Sequence, residues 1–503
     1  MKNRIILAAL ALSVALLSGC GEQPPPDGAS DENRSPRIFP DYADLVIPPN
    51  IAPLNFEIKE SGDRYHVSIR GESRDDDITV CRAGAKIEIP EKKWKKLLRN
   101  NPDKDITIHI HVREQGRWRR YTPLRNRVAA ETIDAFLYYR DIVPTNGLWN
   151  RMAMHQRDLE SFREEKLFDN YRIEHDCMNC HTFNRNNPDE FLFHVRGKHA
   201  GTVIFKDGEL RKISFPATRV ISAGAYCNWH PDGTLVAFAV NSIKQNYYLS
   251  GYAGKMKEVF DLESDIVLYD AGRNEVFACP QIASDMRENL PAWSADGRRL
   301  FFVSAPPHQP GSPHEITLYS LMQATFDPET RQTGEPELLL SHEEAGGSIS
   351  FPTASPDGRF LLFCVADFGY FPVNNKSSDL YLMDLQTGEY SCPDINSDES
   401  ESYISWSGNS RWFVFSSRRF DGMTSKPFIC HVDVQGRLSK PFPVPQKDPE
   451  YYAVDHRNFS RPELIRSRVR PRFGDFEKVI FNRPAEAAFR EDRSGDAKQS
   501  NSF

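Results

Sequence analysis

Ala292-Trp293-Ser294-Ala295-Asp296-Gly297-Arg298-Arg299-Leu300-Phe301-Phe302 reads as a strand, a tight turn and a second strand. The turn needs a residue with positive φ, which glycine supplies, and an aspartate before it that accepts backbone N–H groups. The same arrangement recurs at Cys227-Asn228-Trp229-His230-Pro231-Asp232-Gly233-Thr234-Leu235-Val236-Ala237-Phe238, at Thr353-Ala354-Ser355-Pro356-Asp357-Gly358-Arg359-Phe360-Leu361-Leu362-Phe363, and at Ser405-Trp406-Ser407-Gly408-Asn409-Ser410-Arg411-Trp412-Phe413-Val414-Phe415. A further apolar run closes each unit: Ile266–Asp270, Ile316–Tyr319, Leu380–Asp384 and Phe428–Asp433. Trp229, Trp293, Ala354 and Trp406 hold one position of the repeat, at spacings of 64, 61 and 52 residues. Such spacings suit four-stranded propeller blades with long loops. Gly201–Phe205 and Leu210–Ile213 around Lys206-Asp207-Gly208 form another hairpin, and Tyr452–Ile465 offers a last strand. The expectation is a mainly β chain whose C-terminal part, 201–468, is a propeller of five or six blades.

Upstream, residues 50–143 carry short alternating runs, among them Tyr65–Ile69, Ala85–Ile89 and Ile106–Val112. Period-two alternation predicts a β-sandwich-like domain of about seven strands. His109 and His111 fall on one face of such a strand, where an exposed face is the preferred reading over a metal site lacking further ligands. Residues 20–49, rich in Pro, Asp, Glu, Ser and Asn, read as a flexible tether. Residues 1–19 read as a lipoprotein signal peptide: Lys2 and Arg4, an apolar run from Ile5 to Leu17, then Leu17-Ser18-Gly19-Cys20. The apolar run is too short to span a bilayer, so lipid on Cys20 is the expected anchor. Gly21 follows that cysteine where an aspartate commonly retains bacterial lipoproteins at the inner membrane, which makes the outer membrane the expected location. After 468 the chain turns polar, and 469–503 reads as a disordered tail.

Residues 144–200 read as a short helical connector, since Leu148, Met152, His155, Leu159 and Phe162 recur at spacings of three and four. The connector carries Cys177-Met178-Asn179-Cys180-His181. C-x-x-C-H is the attachment pattern of a c-type haem: Cys177 and Cys180 would form the thioethers and His181 the proximal iron ligand. His199 is the preferred distal ligand, His194 the alternative, and Met152 or Met154 further alternatives. Without haem, the motif reads as a Cys177–Cys180 disulfide or half of a metal site; no second C-x-x-C is present to complete four thiolates.

Of 503 residues, 63 are Lys or Arg and 70 Asp or Glu, giving a net charge of −7. A mildly acidic balance without basic runs argues against nucleic acid as a partner. The other six cysteines, Cys81, Cys227, Cys279, Cys364, Cys392 and Cys430, are too scattered for a disulfide framework. No G-x-S-x-G nucleophile elbow occurs and little chain follows the propeller, so a serine-peptidase reading fails. His230 and His431 would be the ligands of a metal-dependent lyase in the channel, although His230 sits at a blade turn where packing explains it.

The repeats resemble TolB-type β-propeller repeats at their Trp-x-x-Asp-Gly cores and Leu-Tyr-x-x-Asp closers. Asp41 to Ile465 is also similar to a family of bacterial lipoproteins with a TolB-like propeller and a cytochrome-c-like C-x-x-C-H. The shared stretches are Val46–Phe56, Gln156–Phe162, Cys177–Phe183 and Lys440–Pro449. The resemblance implies a propeller in the cell envelope and supplies no defined activity. Motif and compartment together give the leading expectation, a lipid-anchored protein with one covalent haem c for electron transfer to a redox partner. The alternative is a haem-free lipoprotein that binds a protein or glycan in the envelope, and a propeller lyase or hydrolase ranks third.

Overall fold

The computed structural model describes residues 28–143, 151–247, 257–309, 311 and 317–490. Cys20 with its lipobox, Leu148, and residues 491–503 of the tail lie outside the described residues.

Six sheets of four or five strands stand around one axis. Their innermost strands are, in order, Asn458–Ile465, Cys177–Asn184, Ala225–Trp229, Arg287–Trp293, Ser348–Ala354 and Glu401–Trp406, and we number blades 1 to 6 accordingly. The Asp-Gly turns behave as their chemistry dictates. Gly233, Gly297 and Gly358 have φ of 74°, 70° and 74°. Asp232, Asp296 and Asp357 accept from the amides two residues on, at 2.8, 3.0 and 3.2 Å. In blade 6 Asn409 and Ser410 take these places, with Ser410 at φ 61° and Asn409 accepting from Arg411 N at 3.0 Å.

The ring begins earlier in the chain than the repeats alone indicate. Blade 1 consists of Phe136–Ile142, Met152–Asp158 and Glu164–Asp169, completed on the inside by the late strand Asn458–Ile465. Pairing of Phe136–Ile142 with Asn458–Ile465 closes the ring. The helical connector expected over 144–200 is instead mostly strand where it is described, with Met152–Asp158 and Glu164–Asp169 joined by a turn that holds Leu159 and Phe162. Met152 to Gln156 are all buried, because a middle strand covered on both faces shows no alternation. The propeller spans 136–465, not 201–468.

The domain before it is also wider than expected. Ser30–Asp31, Ile38–Phe39 and Leu45–Ile47 are strands of a seven-stranded mixed sheet and a three-stranded sheet, so the tether reading of 20–49 fails from Ser30 onward. Tyr42, Leu45 and Ile47 are fully buried. A helix over Glu91–Asn100 packs Trp94, Leu97 and Leu98 into this core, each contributing about 2 kcal/mol by burial. One apolar core runs from these residues through Trp412, Val414, Phe442 and Phe459 of the propeller. Three of the stretches behind the family resemblance meet at this junction. Ala52 N donates to Leu159 O at 2.6 Å, Asn55 Nδ2 to Lys447 O at 2.9 Å, and Arg157 Nη2 to Pro445 O at 2.9 Å.

Residues 469–490, expected to be disordered, are ordered. Phe473–Phe481 is a helix that buries Phe476, Val479 and Ile480 against blade 2. Ala485–Glu486 and Ala488–Phe489 pair in parallel with the outer strands of blades 2 and 3. Among the described residues no helix is long and apolar enough to cross a membrane.

Candidate functional site

Every inner strand carries one non-glycine residue at positive φ: Cys180 at 49°, Tyr226 at 43°, Leu290 at 53°, Phe351 at 48°, Tyr403 at 46° and Arg461 at 51°. Each lies where the inner ladder slips register, the signature of a bulge that adds one residue and redirects a side chain. Together the six form a ring around the channel. Below it, a cavity of about 180 Å³ is lined by Tyr226, Leu290, Phe351, Tyr403, Arg461 and Glu463, among others. Phe371, from the loop between the middle strands of blade 5, sits over Tyr226, Phe351 and Tyr403 with ring centroids 5.9, 5.9 and 6.2 Å away. The aromatic rings thus divide the channel into two ends.

The C-x-x-C-H stretch is the inner strand of blade 2. Cys180-His181-Thr182-Phe183 occupies the places of Tyr226-Cys227-Asn228-Trp229, Leu290-Pro291-Ala292-Trp293 and Tyr403-Ile404-Ser405-Trp406. His181 therefore stands where other blades bury Cys227, Pro291, Pro352, Ile404 and Pro462. Its ring is 1 % exposed, packs 4.7 Å from Tyr138 of blade 1, and lies with Nε2 3.7 Å from Glu463. Burial holds its pKa well below the usual imidazole range, so the ring is neutral. Burial likewise raises Glu463 to about 7 against the opposing pull of Arg461.

His194 lies on the opposite face of the same sheet. Its Nδ1 is 2.8 Å from Thr202 Oγ1, its Nε2 is 3.9 Å from Cys227 Sγ, and its ring faces Phe238 of blade 3. His199 sits beyond the strand end, against Phe481 at 4.5 Å and 3.5 Å from Glu174. Met152 and Met154 are fully buried in the core between blades 1 and 2. Neither histidine shares a space with His181 in which one iron could be held. The thiols do open toward a common region, since Cys180 is partly exposed and Cys177 lies among Arg140, Arg196 and Lys257. The sulfurs fit an attachment site at the channel; the imidazole does not, because a bulge between Cys180 and the strand's next paired residue turns His181 into the blade interface. The motif as folded does not fit a c-type haem ligated by His181.

Other sequence candidates are packing residues. His230 lies 4.8 Å from the Trp293 ring with Nε2 3.0 Å from Gly297 O, and His431 lies 4.7 Å from Trp412. His109 and His111 share the half-buried face of their strand, His111 facing His66 with ring centroids 5.8 Å apart. Among the described residues no group of three or more His, Cys, Asp or Glu could hold a metal ion, and the eight described cysteines are free thiols.

The feature not evident from sequence is a set of cations. Arg140 from blade 1 donates to Met178 O at 2.6 Å and Ser460 Oγ at 3.0 Å. Arg196 donates to Gly224 O at 3.1 Å. Lys257 opens the second arm of the long blade 3 hairpin, Leu235–Tyr247 and Lys257–Asp270. Burial, then the charges of Arg140 and Arg196, depress Lys257 to about 8, while Cys177 and Cys180 pull the other way. Arg461 projects from the ring. Among the described residues no carboxylate forms an ion pair with these four, and burial pushes Glu463, near Arg461, up to about 7.

No family model matches the chain, and no curated protein matches it in sequence. Among solved structures it is similar to a puromycin-hydrolysing peptidase of Mycobacterium tuberculosis, at 12 % identity over 62 % of this chain and 52 % of that one, TM-score 0.36. Hydrazine synthase of Kuenenia stuttgartiensis shows 11 % identity over 51 % and 64 %, TM-score 0.30. The Dos1 propeller shows 13 % identity over 54 % and 63 %, TM-score 0.33. The chain thus matches less than two thirds of the length of each, and no function is taken from them.

Proposed function

We propose that this chain is a haem-free, lipid-anchored protein of the cell envelope whose propeller channel binds an anionic ligand, an acidic glycan. The observation that carries the reading is the convergence of Arg140, Arg196 and Lys257 at one end of the channel without carboxylate partners. Clustered like charges in a partly dry site repel one another, and an anion relieves that cost. Tyr226, Tyr403, Phe351 and Phe371 supply the apolar faces against which sugar rings pack. The lipobox reading of Leu17-Ser18-Gly19-Cys20 supports the anchor, and a protein held in the envelope meets glycans.

Calorimetric titration of the mature protein with trimannuronate and with neutral mannotriose tests the reading. Trimannuronate is expected to bind, mannotriose to bind at least tenfold more weakly, and Arg196→Gln to cost about tenfold for the acid sugar. Equal affinity for both sugars would overturn it. A pyridine haemochrome spectrum of protein made in a cytochrome-c-maturing host is expected to show no haem; a stoichiometric c-type signal would replace this reading with the electron-transfer one.

A further inference from the structure

The helix Glu91–Asn100 of the N-terminal domain is charged against its own stability. Trp94, Leu97 and Leu98 turn inward, while Lys92, Lys93, Lys96 and Arg99 are exposed and Lys95 is half-buried beside them. Lys92, Lys95, Lys96 and Arg99 follow one another at three- and four-residue spacing, so each has like-charged neighbours on the same face, an arrangement that destabilises a helix. Lys92 and Lys93 occupy the first turn, where the helix dipole disfavours positive charge, and Pro90 supplies no side-chain cap to offset it. The carboxylates around the helix answer only part of this charge. Glu91 holds Lys95 at 3.0 Å; Asp76 holds Lys96 at 2.9 Å and accepts from Asn100 Nδ2 at 2.8 Å; Asp75 also acts on Lys96. Glu88 faces Arg82 at 3.4 Å and Asp77 faces Arg70 at 3.7 Å, pairs that are neutral in themselves. Lys92, Lys93 and Arg99 form no ion pair among the described residues. Five cations against Glu91, Asp75 and Asp76 leave a surplus of two, on a face whose charge folding does not require.

We propose that this helix face docks on the anionic phospholipid headgroups of the membrane that holds the lipid anchor. Eight residues separate Cys20 from Gly28, the first described residue. At no more than about 3.5 Å per residue, that span keeps the start of the N-terminal domain within roughly 30 Å of the bilayer. Each lysine or arginine brought within a Debye length of an anionic leaflet adds attraction, and the leaflet offsets the repulsion along the helix. The apolar face of the helix is buried in the domain core, so the contact is electrostatic and without insertion. The inference rests on the anchor reading above.

The full mature chain, made lipid-free through Cys20→Ser, is sedimented with vesicles of phosphatidylcholine alone or with about one third phosphatidylglycerol. Binding to the anionic vesicles is expected to be at least tenfold tighter and to be lost at high salt. Combining Lys92→Gln, Lys93→Gln and Arg99→Gln is expected to weaken that binding at least tenfold with no fall in melting temperature, because the exchange relieves repulsion in the helix. Equal binding to both kinds of vesicle, or undiminished binding in the combined variant, overturns the docking. A combined variant that keeps its vesicle affinity and loses affinity for trimannuronate assigns the helix to the glycan instead and also overturns it. Mass spectrometry of the exported protein tests the anchor separately: an unacylated Cys20 overturns the anchor and the docking that rests on it.

Discussion

His155 shows how one side chain is set by partners far away in sequence. It stacks on Tyr139 at 5.3 Å with 7° between planes, its Nε2 is 3.5 Å from Asp141, and its Nδ1 is 3.3 Å from Glu164. Burial opposes its charge, yet the two carboxylates outweigh burial and raise it to about 9. A base held above its unfolded value of about 6.5 adds stability that is full below that pH and lost as pH rises through the folded value. His155→Gln is expected to cost about 3 kcal/mol in urea unfolding at pH 6, because it leaves the buried Asp141, and the more exposed Glu164 beside it, with less compensation. The gap from the unmodified protein should narrow between pH 6.5 and 9.5, and a gap that stays constant would contradict the assignment. At this scale the sequence misled: His155 fitted a helical spacing, and nothing local marked it as part of a charged cluster that also includes Arg457, 2.8 Å from Asp141.

At the scale of the element, the inner strand is the unit that matters. Its bulge residue adopts a conformation that β-branched side chains tolerate poorly. Leu290→Val, at φ 53°, is therefore expected to cost at least ~1 kcal/mol more than Leu300→Val, in the next strand of the same blade, where positive φ is absent. Equal losses in chemical denaturation would show that the bulge is not strained. The turn half of each repeat was legible because aspartate and glycine act within a few residues. The bulge was not, since Cys180, Tyr226, Leu290, Phe351, Tyr403 and Arg461 share a backbone geometry and no residue type. One signal could have found blade 2: Cys180-His181-Thr182-Phe183 followed by the polar turn at Asn184–Asn187 has the layout of Tyr226-Cys227-Asn228-Trp229 before its own turn. The C-x-x-C-H spacing drew the eye away from it.

For the whole molecule, closure of the ring is the decisive event. The late strand Asn458–Ile465 pairs with Phe136–Ile142 across more than three hundred residues, and contacts of such range form late and cooperatively. A chain ending at residue 457 loses the inner strand of blade 1 and the wall that encloses His181. It is expected to lose its cooperative thermal transition and to bind a hydrophobic dye. Removal of 483–490 alone, which uncovers only outer edges, should keep the transition with a small drop in melting temperature. A cooperative transition in the shorter chain would show that the ring does not depend on this strand.

The sequence by itself determined that blades exist, because strand, Asp-Gly turn and strand are fixed by interactions between residues a few positions apart. Only the tertiary structure decided where the ring starts, that a tether and a tail are built into sheets, and what Cys177 to His181 do. Local spacing brings two thiols and an imidazole close in the chain, but the bulge and the neighbouring blade decide which way each one points. Here Cys180 is placed on the channel ring and His181 between blades, against Tyr138 and Glu463.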